Sequence, residues 1–309
     1  MQGGFAACSA TMIIDFRSRI YNTLQCMDDL LTNEKHVRPS TIEGIFYPDQ
    51  REVLSARLID LLNHTDEPAE AARSPFSIIV PHAALDYCGE IAAAAYRTVA
   101  DRPIDTVVLL GPVHREMEPF VLLPQSQKFQ TPLGDAEVDE ISLKKLAALS
   151  PAFRIDDIPH LEEHCLEAQL PFVQHLFPQA RILPILLGKP SRTLVEALSD
   201  SLWVLFEKRI SSTLFVVTAN MTSNADETHG NREAEQVIDW IVRGEWQLLM
   251  EAAESRRISS CGAGCLAAIL LFNQKLGGEV EIRRQGSSLP LVGDPKKVVH
   301  YAAFVIRNR

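Results

Sequence analysis

The stretch "SPFSIIVPHAALDYCGE", Ser74 to Glu90, decides the fold. Phe76 to Val80 is an unbroken apolar run with the length of a short buried strand. Pro81 stops it, because proline has no N–H to give a sheet ladder. His82 follows at once. In an α/β sheet the carboxyl ends of the strands are where ligands sit, so an imidazole placed there matters if other strands do the same.

They do. "TVVLLGPVH" ends at His114, and "LFVVTANMTSN" ends in a polar cluster with Asn220, Thr222 and Ser223. Any one of these is an ordinary polar loop residue. If the three strands are parallel neighbours, their polar ends share one crevice.

The rest of the chain supplies the covering layers. Gln50–Leu62 has helical spacing, "EIAAAAYRTVA" is a small-residue helix, and a helix is expected over Glu140–Leu149. Hairpin strands are expected around Pro119–Leu123, followed by a loop, "TPLGDAEVD". "HLEEHCLEAQLPFVQHLF" reads as a helix that Pro171 kinks or restarts. "RILPILLG" and "STLFVVTAN" are strands separated by helix Ser191–Glu207. Asn231–Leu276 is helical with a break at "ISSCGAG", and "GEVEIRRQGSS" and "KKVVHYAAFVIR" are closing strands that pair with each other. The alternation predicts an α/β fold, a mostly parallel or mixed central sheet sandwiched between helices. Residues 36–309 are expected to form a single domain, with "NHTDEPAEAARSP" a surface linker within it. Residues 1–35 are expected to be an extension with a helix around Ser18–Leu31.

Composition excludes several classes. The hydrophobic share of 46% and charged share of 23% are those of a globular protein. With 30 Lys+Arg against 40 Asp+Glu, a net charge of −10 and no basic run, nucleic-acid binding through phosphate contacts is not expected. No apolar segment approaches the roughly 20 residues that span a bilayer. The first residues lack a cationic start, and Asp15 interrupts their apolar part, so they do not read as a signal peptide. Six cysteines in a chain of 309 residues make no disulfide framework, and a cytoplasmic location is expected.

Two further segments carry chemistry. In "SSCGAGCLAA", Cys261 falls just before or inside the first turn of a helix, where the dipole would lower its pKa and favour the metal-binding thiolate. The alternative is that a cysteine among small residues only permits close helix packing. Glu167 lies three residues beyond His164, so the two can share a helical face for acid–base work or for orienting a ligand. His36, His64, His160 and His175 read as surface or packing residues. No P-loop, G-x-G-x-x-G or G-x-S-x-G is present.

An ordered set of motifs runs from Arg38 to the C-terminus. It comprises Arg38-Pro39, Phe46-Tyr47-Pro48, Pro81-His82-Ala83 with Tyr87 and Gly89, and Gly111-Pro112-Val113-His114. Thr131-Pro132-Leu133-Gly134 with Asp139 follows, then Glu163-His164 with Glu167, Gln169, Leu170, Pro171 and Phe172, and finally Cys261-Gly262. The order resembles that of the Memo-like family, also called AmmeMemoRadiSam system protein B. The resemblance implies a fold related to the class III extradiol dioxygenases. It also implies a metal crevice built from His82, His114 and Cys261. Two imidazoles and a thiolate suit iron, copper or zinc. Family members are often encoded beside a radical-SAM protein and an AMMECR1-like protein, which implies a possible protein partner.

The departures bear on activity. Where the family has S-S-D-x-S-H, this chain reads Thr218-Ala219-Asn220-Met221-Thr222-Ser223. Asn220 cannot act as a carboxylate base, nor Ser223 as an imidazole. Asp226 and His229 repeat the lost D-x-x-H spacing six residues later. Ala84 and Leu85 replace a Gly-Tyr, Cys88 and Cys165 replace serines, and Cys265 replaces a proline.

Three functions are compatible with this pattern. The first is a metal-dependent oxidoreductase of dioxygenase type acting on a small molecule, with His164 and Glu167 serving proton transfer or orientation and Asn220 bonding substrate or water. The second is a non-catalytic binding or scaffold protein with an eroded site. The third is a hydrolase using Cys261 as nucleophile without a metal.

Overall fold

The computed structural model describes residues 36–64, 75–115, 117–223 and 226–308. The helix expected at Ser18–Leu31 and most of the linker lie outside these residues.

The chain enters as β1 (Val37–Arg38) and a looped strap, then forms α1 (Arg51–Asn63). β2 (Pro75–Val80), α2 (Leu85–Tyr96) and β3 (Thr106–Pro112) follow, then β4 (Val121–Leu123). β5 (Lys128–Thr131) and β6 (Gly134–Glu137) make a hairpin, followed by α3 (Glu140–Ala147), β7 (Phe153–Ile155) and α4 (Asp157–Glu162). Next come α5 (Leu170–Leu176), β8 (Arg181–Leu187), α6 (Arg192–Phe206) and β9 (Thr213–Thr218). The chain ends with α7 (Glu227–Arg243), α8 (Trp246–Glu254), α9 (Ala263–Leu276), β10 (Glu279–Ser287), α10 (Leu289–Val292) and β11 (His300–Arg307).

Eight strands form the central sheet in the order β10-β11-β2-β9-β3-β8-β4-β7. Its middle, β2-β9-β3-β8, is parallel throughout. Antiparallel β11 and β10 extend one side, and β4 runs antiparallel to β8 on the other. The expected mixed α/β sheet is therefore present. Every residue of β2, β3 and β9 is buried, which is why these strands are continuous apolar runs rather than alternating ones. α2 packs on β2, β10 and β11, while α9 packs on β3 and β9 and is itself covered by α6 and α8. One buried apolar cluster runs through the sheet and its helices from Ile42 to Ile306.

Two expectations need correction. β4 is not half of a hairpin: it pairs with β7 and β8, and the hairpin is β5-β6, with "TPLG" as its turn. Nor is "HLEEHCLEAQLPF" one helix. α4 ends at Glu162, Glu163 is extended (φ −90°, ψ 136°), and helix resumes through a short 3-10 turn into α5, where Pro171 sits in the first turn. Proline there costs nothing, because that N–H has no helical partner.

Candidate metal centre

Parallel pairing of β2, β9 and β3 brings their carboxyl ends to one edge of the sheet. Val80 faces Thr218, and Leu110 faces Val217, so the residues just beyond them are neighbours in space. His82 and His114 meet there with ring centroids 5.1 Å apart. The non-helical stretch after α4 adds His164, whose ring lies 5.7 Å from His82 and stacks on His114 at 4.9 Å. One nitrogen from each of His82, His114 and His164 lies within 4.8 Å of the other two. Cys261 closes the group: its Sγ is 3.3 Å from His82 Nε2, hydrogen-bonds His114, and accepts the Asn220 N–H at 3.4 Å.

Close backbone approaches make this possible. A Cβ on Gly262 would lie 2.4 Å from Ala219 Cβ, so glycine lets the Cys261 loop rest on the end of β9. A Cβ on Gly111 would lie 2.7 Å from Cys165 Sγ, so glycine in β3 admits the segment carrying Glu163 and His164.

Outer partners fix the rings. Glu163 accepts the His114 backbone N–H at 2.5 Å and its Nδ1–H at 2.7 Å. Thr218 Oγ1 lies 2.9 Å from His82 Nδ1 and is itself held by Gln169 Nε2 at 3.2 Å. With both Nδ1 atoms engaged by outer partners, the Nε2 atoms are left to the cluster, where His82 Nε2 meets Cys261 Sγ, the arrangement typical of metal-binding histidines.

The thiol and imidazoles of the cluster bias one another's protonation. Burial would raise the Cys261 thiol, but His82 and the hydrogen bonds from His114, His82 and Asn220 bring it down to about 5. Burial would lower His114, yet its bonds to Cys261 and Glu163, with their charges, lift it to about 10. His164 is pushed down to about 4 by burial and by the charge of its two neighbours, so it stays a neutral donor.

Of the residues singled out in the sequence, His82, His114, Cys261 and His164 converge. Glu167 does not join them. With no helix between His164 and Glu167, its side chain turns into a buried pocket formed by the N-terminal strap. There it pairs with Arg38 Nη1 at 2.5 Å and accepts from Ser40 Oγ (2.8 Å), Thr41 Oγ1 (2.8 Å), Tyr47 Oη (2.7 Å) and the Ile42 N–H (3.1 Å). Arg38 also bonds the carbonyls of His160 and Glu163, and Phe46 packs edge-on against the His164 ring at 5.1 Å. Glu167 thus holds the segment that presents His164, with its carboxylate turned into the strap.

Asn220 is given over partly to structure, its Oδ1 accepting the His82 N–H at 3.2 Å. Asp226 caps α7 by accepting the His229 N–H at 3.1 Å, and the exposed His229 ring points to Glu233 at 3.9 Å, so this pair does not replace the missing Asp and His. Glu163 and Thr218 hold the rings of His114 and His82, a placement that the sequence alone does not assign. The adjacent Glu163-His164 pair was a signal for one of them, since neighbours in extended chain can serve one site from two sides.

A family model described as Memo-like protein matches residues 38–305. The chain belongs to the Memo-like family. A MEMO1 family protein of Thermoplasma acidophilum is 27% identical over 270 residues, 87% of this chain and 98% of the relative. One from Sulfolobus acidocaldarius is 33% identical over 74% of this chain and 81% of its own length, and one from Metallosphaera sedula 30% identical over 86% and 98%. Among solved structures, an uncharacterized protein of Escherichia coli K12 aligns with a TM-score of 0.48 at 12% identity, over 75% of this Memo-like chain and 99% of its own. Among the described residues no helix is long and apolar enough to cross a membrane.

Proposed function

We propose that this Memo-like protein binds one transition-metal ion through His82, His114, His164 and Cys261 and uses it as an oxidoreductase on a small molecule. The observation that carries the reading is the convergence of three imidazole nitrogens within 4.8 Å, with outer partners on the two whose far nitrogens must be held. Three imidazoles and a thiolate are a donor set for iron, copper or zinc, and a redox-active ion there would supply electron transfer and oxygen chemistry. The chain's own residues do the rest. Glu163 keeps His114 oriented, Thr218 keeps His82 oriented, and Asn220 braces both the His82 backbone and the thiolate loop. The four described cysteines are all free, which suits a reducing compartment, so we place the protein in the cytoplasm, with residues 36–309 working as one unit.

Elemental analysis after reconstitution with iron, copper or zinc tests this. About one equivalent is expected in the wild type and little in His82→Ala and Cys261→Ala variants whose circular dichroism is unchanged. A wild type that retains none under any loading condition overturns the proposal.

One observation favours a second reading, a metal-holding protein without turnover and with a protein partner such as a radical-SAM or AMMECR1-like protein. Ser223 replaces an imidazole and is tied to Ser259, its N–H donating to Oγ at 3.0 Å. Oxygen consumption by the loaded protein, present or absent across a substrate panel, separates the two.

A further inference from the structure

The metal cluster opens into a crevice of about 1040 Å³, and both His114 and Cys261 contribute to its wall. That wall also carries four cationic side chains against two acidic ones. Arg115, Arg154, Lys189 and Arg256 line it, from the segment after β3, from β7, from the β8–α6 turn and from the α8–α9 loop. Four separate parts of the chain therefore bring positive charge to one space, on a protein whose net charge is −10.

Several basic groups elsewhere sit beside carboxylates, as Lys275 with Asp200, Arg243 with Asp239 and Arg192 with Glu196 do, while among the described residues Lys145, Lys208, Lys296 and Lys297 do not. In the crevice only Arg115 has such a partner, Glu162. Among the described residues, Arg154, Lys189 and Arg256 pair with no carboxylate, and Arg154 lies over the Phe120 ring at 3.2 Å. The crevice's own acids, Asp156 and Glu118, offset two of the four cationic charges, so the lining stays net positive.

Two long helices also begin at this wall. Ser191 caps α6, and Gly264 and Cys265 lie in the first turn of α9, which has no side-chain cap. Their amino ends add partial positive charge on the same side as the cations. Gly188 fixes the floor: a Cβ there would meet the Glu118 carbonyl at 2.5 Å, so the turn carrying Lys189 lies hard against the segment carrying Phe120.

We propose that the crevice is the substrate subsite of this centre and that it selects small molecules bearing an oxyanion, a carboxylate or a phosphate, held by Lys189, Arg256 and Arg154 beside the metal ligands. This rests on the proposed function for its meaning as a substrate site, but the anion contact itself does not need the metal.

The test is binding of phenyl phosphate, benzoate and neutral benzamide, followed by calorimetry in low salt. The proteins are the metal-loaded wild type, the Cys261→Ala variant, a Lys189→Ala/Arg256→Ala double variant, and Lys296→Ala/Lys297→Ala as a control on exposed lysines elsewhere. The expected result is that an anion binds the wild type at least tenfold more tightly than benzamide. Binding should weaken about tenfold in the crevice double variant, stay unchanged in the control, and fall with added salt. The better of phenyl phosphate and benzoate names the oxyanion. Equal binding of anion and benzamide, or equal weakening in the control, overturns the proposal. Anion binding retained when neither the wild type nor the Cys261→Ala variant takes up metal would sink the metal reading and leave the anion subsite standing. Metal uptake with no anion preference would do the reverse.

Discussion

At the residue scale the thiolate is the most exposed consequence of the geometry. Cys88 is pushed up to about 12 by burial, and Cys165 and Cys265 are raised well above the usual thiol range. Cys261, brought down to about 5, is the described cysteine that is ionised at neutral pH. Site-resolved mass spectrometry of metal-free protein treated with iodoacetamide should show Cys261 alkylated at a rate that is flat above about pH 6 and falls below pH 5. Bound metal should protect it. Labelling that is indifferent to metal would instead support the cysteine-nucleophile reading. A second residue-scale expectation concerns Glu163. Glu163→Gln keeps the shape but weakens the hold on the His114 Nδ1–H, and metal affinity should fall about 10–100-fold. A competitive chelator titration would detect it, and an unchanged affinity would remove Glu163 from the site.

Elements meet at glycines, and there backbone spacing rather than side-chain chemistry decides. Gly111→Ala puts a methyl 2.7 Å from Cys165 Sγ and 2.8 Å from Leu166 Cδ2, both buried. Overpacking of this kind costs about 1–3 kcal/mol. Because the displaced segment carries Glu163 and His164, metal occupancy should fall together with the urea midpoint. Gly244→Ala, at a helix end with open space around it and φ of 71°, should lower stability through backbone strain alone and leave occupancy intact. The comparison separates strain at the site from strain elsewhere. Elements also show how far the sequence could be read. Apolar runs that end in Pro81-His82 and Gly111-Pro112-Val113-His114 mark β2 and β3 and the histidines at their ends, because a buried parallel strand must be apolar throughout. The 163–169 segment was misread because its Leu and Phe spacing fits a helix. Only the tertiary pull of Arg38 on the His160 and Glu163 carbonyls, and of the strap on Glu167, shows why it opens there. Those contacts span more than a hundred residues and leave no local periodicity.

For the whole molecule the same strap sets the acid limit. Glu167 is buried, which alone would raise its pKa, but Arg38 and the hydroxyls of Tyr47 and Thr41 hold it below the usual carboxylate range. Its folded pKa is depressed, so its stabilisation is present above the unfolded value and is lost as pH falls through the folded one. His160 acts over a higher window. It is buried, its Nε2–H bonds the Leu122 carbonyl at 3.1 Å, and burial pushes it down to about 3. The unfolded chain takes up that proton first, so stability should drop by about 2 kcal/mol between pH 6.5 and 5. Urea melts of metal-free protein across that range would read it, and a flat profile would show that His160 is solvated. Removing one partner from the Arg38–Glu167 pair, as in Glu167→Gln, should cost about 3–5 kcal/mol at pH 7.

The contact between His82 and Cys261 spans 179 positions of chain. During synthesis the imidazoles emerge first and the thiolate only near the end, with α9, β10 and β11 still to follow. Of the four proposed donors, the three imidazoles are made before the thiolate, and the soft donor arrives last. If the proposed centre binds metal, its full donor set is therefore a property of the finished polypeptide, and chains truncated before Cys261 should lack the wild-type affinity.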